Sequence, residues 1–259
     1  MTPGRSGSVA DGLLVPGDSP VHRLPAQCKL VALLGFAAVV AAVPAGEWAA
    51  LACLAGLALG LVALARLPVA TVARRMVVET PFVVLALTLP LVAGGPSVVV
   101  GPVSLSEPGL VAGATLLVKA TRGVLVAVVL ASTTATRDLV GGLVRLRLPD
   151  ALVTVLAFTL RYVGIVTDDL ARQRTARELR GATGHRLAHL PAVAAGVGTV
   201  FVRTYERGER VHRAMLARGY TGRMPSLDGG AAGARDWALA VGVPLTAAAM
   251  AVASLAVTA

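Results

Sequence analysis

The sequence predicts an all-α, polytopic membrane protein: about five transmembrane helices plus a cytoplasmic region of one short and two long amphipathic helices. Three observations carry this. The 259 residues are 56% hydrophobic and only 15% charged, with a mean hydropathy of +0.76, whereas soluble domains carry roughly 25% charge. Five apolar runs approach the roughly 20 residues a helix needs to cross a bilayer. The positive charge is also regional: between Arg137 and Arg223 there are 15 arginines against 7 acids.

Residues 1–22 are polar and rich in glycine and proline, and form an expected disordered cytoplasmic N-terminus. They lack the basic start and short apolar stretch of a cleaved signal peptide. Residues 23–132 hold four predicted spans: Cys28–Val43, Trp48–Ala65, Met76–Val92 and Leu110–Ala131. The first two are short. Pro81 and Pro90 are expected to kink the third, which membrane helices tolerate when neighbours satisfy the freed carbonyls. Lys119 and Arg122 fall inside the fourth, where charge is costly, so they are expected to face the bundle interior or to snorkel. Cys28 and Cys53 match no metal or redox spacing and are expected to be buried small apolar residues.

Loop charge sets the orientation. Pro44–Glu47 and Ala93–Pro108 contain no basic residue, whereas the loop between spans two and three contains Arg66, Arg74 and Arg75. Basic loops stay cytoplasmic, which places the N-terminus and the arginine-rich segment inside and the C-terminus outside. Residues 226–259 form a linker and the fifth span, from Trp237 onward.

Residues 133–225 are the cytoplasmic helical region. Asp138–Arg147 predicts a short helix that stops before Pro149. Asp150 is a suitable N-cap for a long helix over Ala151–Arg180. There Leu152, Leu156, Thr159, Val163 and Val166 are expected to share an apolar face, with Asp168 pairing Arg172 at i, i+4. A second long helix over Pro191–Arg218 carries the stripe Val193, Val197, Val200, Phe201, Thr204, Val211 and Met215. Its ion pairs are Glu206–Arg210 and Glu209–Arg213. Both long helices are too charged to span and too apolar on one face to stand alone in water.

Each long helix ends in Arg-Gly: Arg180-Gly181 and Arg218-Gly219, 38 residues apart. Glycine at C′ and arginine in the last turn make a normal helix cap. An exposed arginine at a helix tip can equally enter a partner's groove and make bidentate bonds, with the glycine allowing close approach. From the residues alone both readings stay open.

The surrounding sequence resembles the transmembrane coupling (T) component of energy-coupling-factor (ECF) transporters, the EcfT/CbiQ family. RTARELRG (Arg174–Gly181) and YERGERVHRAMLARGYTGRMP (Tyr205–Pro225) are similar to the family's two Ala-Arg-Gly motifs, which end its cytoplasmic coupling helices. VHRLPAQCKL (Val21–Leu30) and TTATRDLVGGLVRLRLP (Thr133–Pro149) extend the likeness over most of the chain. Leu179 departs from the usual alanine. The pattern is most similar to the cobalt-type CbiQ branch. The resemblance implies a non-catalytic subunit in the cell membrane that docks two ECF ATPase subunits through Arg180, Gly181, Ala217, Arg218 and Gly219. It also implies a substrate-binding membrane partner, metal-binding and CbiM-like in the cobalt branch, and uptake of cobalt or nickel of the kind that serves cobalamin biosynthesis.

Other functions fit less well. A P-loop is excluded, because Lys29 and Lys119 are the only lysines and neither follows the required glycine. Adjacent Asp168 and Asp169 point about 100° apart on a helix and form no catalytic dyad; they are expected on a solvated face. His185 and His189 have ligand spacing, but no acid or cysteine completes a site, so no metal and no cofactor is expected. His22 and His212 are expected to be structural. No aromatic residues interleave with the arginines as a nucleic-acid surface would need. The alternatives are a T component for a vitamin such as biotin, and a membrane scaffold whose arginine-rich helices bind anionic lipid without an ATPase. A membrane-embedded enzyme would need more acids within the spans than Glu79 alone.

Overall fold

The computed structural model describes residues 13–100, 103–179, 190–222 and 232–258. Its contacts divide the chain into two units, one of Leu13–Gly142 with Asp228–Ala259 and the other holding Leu143–Leu227. Helices α1 (Pro20–Arg23), α2 (Ala26–Ala42), α3 (Trp48–Leu64), α4 (Val69–Arg75), α5 (Thr80–Val92), α6 (Glu107–Thr133), α7 (Thr136–Arg145), α8 (Asp150–Leu179), α9 (Leu190–Ala217) and α10 (Ala234–Thr258) follow in order. A short antiparallel hairpin, β1 (Ser97–Val100) and β2 (Val103–Ser106), fills the loop before α6. Its valine-rich strands suit a pleated surface better than a helix.

In the first unit α2 packs on α6 and α10, α3 on α6 and α10, and α5 on α6. Phe36, Leu51, Leu54, Ala58, Val126 and Ala247 form its buried centre. Three contacts among the described residues are close enough to require glycine; one is at Gly109, where a Cβ would lie 2.8 Å from the Leu89 carbonyl oxygen. A Cβ at Gly113 would lie 2.5 Å from the Ala86 carbonyl oxygen, and one at Gly35 would lie 2.7 Å from Pro244 Cβ.

All five expected apolar segments are helical, with altered bounds. The third runs over Val69–Val92 and is broken by a 3-10 turn at Met76–Glu79; Pro81 sits at the start of α5, and only Pro90 lies inside that helix. Helices α2 and α3 have 17 residues each, near the lower limit for a span. Among the described residues four helices are long and apolar enough to cross a membrane by length and composition, and they include α8 as well as Val69–Val92, α6 and α10. That corrects the view that α8 is too charged throughout. Its charges cluster after Thr167, and the stretch before holds only Asp150 and Arg161.

Lys119 and Arg122 turn inward. Lys119 Nζ donates to the carbonyls of Ala41 (3.1 Å) and Val43 (2.6 Å) at the end of α2. Arg122, 6% exposed, donates to the carbonyls of Val118 and Leu51. Glu79, 5% exposed, accepts from the Thr121 hydroxyl. Charged groups in an apolar bundle find carbonyl and hydroxyl partners because unpaired they would be expensive.

Two expectations need correction here. Cys28 is buried but Cys53 is exposed, because α3 turns one face away from the core. Within the segment expected to be disordered, residues 13–22 are tied down by hydrogen bonds, with Ser19 and Val21 buried. Ser19 caps α1 and bonds His22 Nδ1 at 2.7 Å, while His22 Nε2 bonds the Val15 carbonyl at 3.1 Å. The Val15 amide donates to Ser132 at 2.9 Å, Arg75 bridges Leu13 and Ser132, and Val21 is buried against Ala65, Leu67 and Val129. Polar bonds supply what the segment lacks in apolar bulk. Asp18 and Arg23 form a bidentate surface pair at 2.8 and 2.7 Å, which holds the Asp18 carboxyl below its ordinary range. His22 is structural, as expected.

Candidate functional site

The second unit carries the candidate site on α8 and α9. Its helices pack through small and charged residues. A Cβ at Gly196 on α9 would lie 3.0 Å from both Arg177 Nη1 and Gln173 Oε1 on α8, so glycine lets these long side chains cross the α9 backbone. Further along, Asp169 pairs with Arg172 and feels the charges of Arg207 and Arg203 on α9. Arg177 thus lies near Gly196, while Asp169 lies near the residues that follow it. The two helices therefore run in opposite directions. By helical rise, Ala217 is about 30 Å along α9 from the point where Arg177 crosses it. The C-terminal ends of α8 and α9 point to opposite ends of the pair.

The expected stripes shift by a residue or more. On α8 Val153 is buried, whereas Leu152 and Val163 are exposed. On α9 Val200 is buried at 7%, with Val211 and Met215 partly covered, whereas Val197 and Phe201 face outward. Valine and alanine surround these helices, so apolar identity alone does not mark the packed face. The expected Asp168–Arg172 pair is instead Asp169–Arg172 at i, i+3, and Asp169 is partly covered, with 22% of its side chain exposed. The pairs Glu206–Arg210 (3.7 Å) and Glu209–Arg213 (3.1 Å) are present as expected, and Arg174–Glu178 adds another at 2.9 Å. All three are solvent-exposed and each contributes little to stability.

The tip of α9 is built by its backbone. The Gly219 amide bonds the Leu216 carbonyl and the Tyr220 amide bonds the Met215 carbonyl, both at 3.0 Å. This is the Schellman pattern, and it requires C′ to be left-handed; Gly219 has φ +83°. Among the described residues nothing lies within 4 Å of the position a Gly219 Cβ would take. Ala217, Arg218 and Gly219 are exposed, and Arg218 makes no ion pair among the described residues. The capping role is therefore real, and it leaves a guanidinium projecting from a fixed tip with open space beside it.

Arg180 and Gly181, at the other tip, lie outside the described residues, as do His185 and His189. Among the described residues no group of three His, Cys, Asp or Glu side chains converges on a metal-sized site. Gly196 and Gln173 carry no sequence signal beyond a small residue opposite a long one; the crossing is visible only once the helices are paired.

Comparison with known proteins adds the remaining findings. A family model described as cobalt transport protein, CbiQ, matches residues 17–227. A cobalt transport protein CbiQ from Rhodobacter capsulatus is 28% identical over 77% of this chain and 80% of its own length. The energy-coupling factor transporter transmembrane protein EcfT of Bacillus selenitireducens is 28% identical over 83% of this chain and 85% of its own. The EcfT of Bacillus subtilis is 26% identical over 83% and 86%.

Proposed function

The chain belongs to the EcfT/CbiQ family of transporter membrane components, and from that premise we propose that it is the T subunit of an ECF-type importer, coupling an ATPase dimer to a substrate-binding membrane partner for cobalt or nickel uptake. The tips of α8 and α9 face the cytoplasm, and residues 23–132 and 226–259 anchor the subunit. Arg180-Gly181 docks one ATPase and Ala217-Arg218-Gly219 the other. Closure of the ATPases on ATP moves the two tips, and α8 and α9 carry that motion to the partner, which reorients and releases its ion inside. The subunit itself contributes no chemistry.

The observation that carries this reading is the Arg218-Gly219 tip: exposed, held by two backbone bonds, and without an ion-pair partner among the described residues. The opposed directions of α8 and α9 support it, since an ATPase dimer offers two separate sockets and not one. A guanidinium entering a groove makes charge-assisted bidentate bonds, and desolvated arginine anchors are worth about 2 kcal/mol or more. Arg218→Ala should therefore lower the affinity for the ATPases while leaving membrane insertion intact. Unchanged ATPase affinity would reduce the residue to a cap.

A second substrate reading has one observation in its favour. The EcfT relatives match this chain at 26–28% identity, as the CbiQ relative does at 28%. A T subunit serving a vitamin is separated from the cobalt reading by measuring uptake of labelled cobalt into cells that express the subunit with its partners.

A further inference from the structure

At the end of the first unit where α2 and α10 begin and α3 and α6 end lies a half-open apolar slot of about 180 Å³. Val21, Leu33, Leu61, Val126, Leu239 and Val243 line it, so four helices and the packed N-terminal segment each supply a wall. An apolar cavity of about 150 Å³ in a protein interior stays dry and accepts a hydrocarbon guest. This one is larger, and all four of its helical walls belong to expected spans that meet lipid.

The slot has one polar end. Thr133 lines it and is 4% exposed, yet among the described residues its Oγ1 has no hydrogen-bond partner. Its neighbour Ser132 shows the ordinary solution, donating back to the Val128 carbonyl at 2.6 Å; Thr133 does not use it. Beside it Lys29 places a positive charge, 8% exposed. Its three protons are taken by the carbonyls of His22 (3.3 Å) and Thr133 (2.9 Å) and by Thr134 Oγ1 (3.1 Å). The ammonium is thus fixed and needs no further acceptor, whereas the threonine hydroxyl still has a proton to donate. A buried hydroxyl without a partner is costly.

From this juxtaposition we propose that the slot binds one acyl chain of a membrane phospholipid, with the ester carbonyl of that chain accepting from Thr133 Oγ1. The apolar walls match the chain, and the hydroxyl matches the ester carbonyl oxygen that each acyl chain carries at its head. The lysine charge lies on the side of the phosphate. The bound lipid becomes a wedge between the N-terminal segment and the ends of α3, α6 and α10.

The test uses the full chain in nanodiscs of phosphatidylcholine that contain a diazirine-labelled acyl chain, with cross-links mapped by mass spectrometry. Cross-links are expected to concentrate on slot residues, Cys28 among them, relative to the outward residues Val84 and Leu87. Thr133→Val keeps the shape and should lower slot labelling severalfold, and Leu33→Trp should abolish it while labelling of Val84 and Leu87 persists. Slot labelling no higher than at Val84, or unchanged in Thr133→Val, overturns the proposal, and Thr133→Val carries the test if Leu33→Trp does not fold. N-ethylmaleimide gives an independent readout on Cys28 in a Cys53→Ala background. Its reaction should be slower in lipid nanodiscs than in short-chain detergent, and equal rates would count against a bound chain.

Discussion

Substituting Gly219 separates the cap from the partner contact. Its φ of +83° is a conformation that costs an L-residue roughly 1–2 kcal/mol. Replacing glycine with alanine also removes freedom from the unfolded chain, which returns about 0.4–1 kcal/mol where the geometry is compatible. No atom of the described residues stands within 4 Å of the new Cβ, so they add no steric cost. The net penalty of Gly219→Ala is about 1 kcal/mol, and it falls on the last turn of α9. Asparagine tolerates the left-handed region and should recover most of the loss, while a β-branched valine should be worse than alanine. Hydrogen exchange at the Gly219 and Tyr220 amides reads the cap directly, and affinity for the ATPases reads its use. Exchange should quicken about fivefold in Gly219→Ala, the factor that 1 kcal/mol represents, with affinity falling in the same order Gly, Asn, Ala, Val. Unchanged exchange in the alanine variant would refute the reasoning. If asparagine weakened docking as much as valine, side-chain bulk and not backbone geometry would govern the contact.

Three further outcomes follow from the packing. Gly113→Val drives a side chain into the Ala86 carbonyl, 2.5 Å from the Cβ position, and should cost about 1–3 kcal/mol as other overpacked sites do, measured as a lowered midpoint of thermal unfolding in detergent. Lys29→Met removes the donor to His22, Thr133 and Thr134 and leaves buried acceptors unpaired, each at about 1–3 kcal/mol; limited proteolysis should then cut within Leu13–Arg23 faster than in the parent. Asp169→Asn removes the acid that pairs Arg172 and faces Arg203 and Arg207, and spin labels placed on α8 and α9 on either side of the crossing should show a broadened distance distribution, whereas Asp169→Glu should restore it.

What the sequence made legible follows from how each signal arises. Runs of alanine, valine and leucine located the spans because length and hydropathy suffice for a bilayer. The Arg-Gly ends marked α9's cap because only glycine is at ease at left-handed C′. The packed faces of α8 and α9 were not legible: with Val197, Val200 and Phe201 all apolar, which one turns inward depends on how α8 crosses, and that depends on Gly196 meeting Arg177. The packed segment before α2 was hidden by its polar composition, although Ser19 followed by Pro20 is a cap and first-turn proline pattern that pointed to α1. The unequal charge along α8 was present in the sequence too, but a whole-helix average conceals it.

The central claim is that two arginine tips are the ATPase sockets. Its most direct measurement is recovery of the ATPase subunits with the purified subunit carrying both Arg180→Ala and Arg218→Ala, normalised to the amount of subunit inserted in the membrane. The account predicts normal insertion with most of the ATPase lost. Full recovery of the ATPases with the double variant would contradict it and leave both arginines as helix caps.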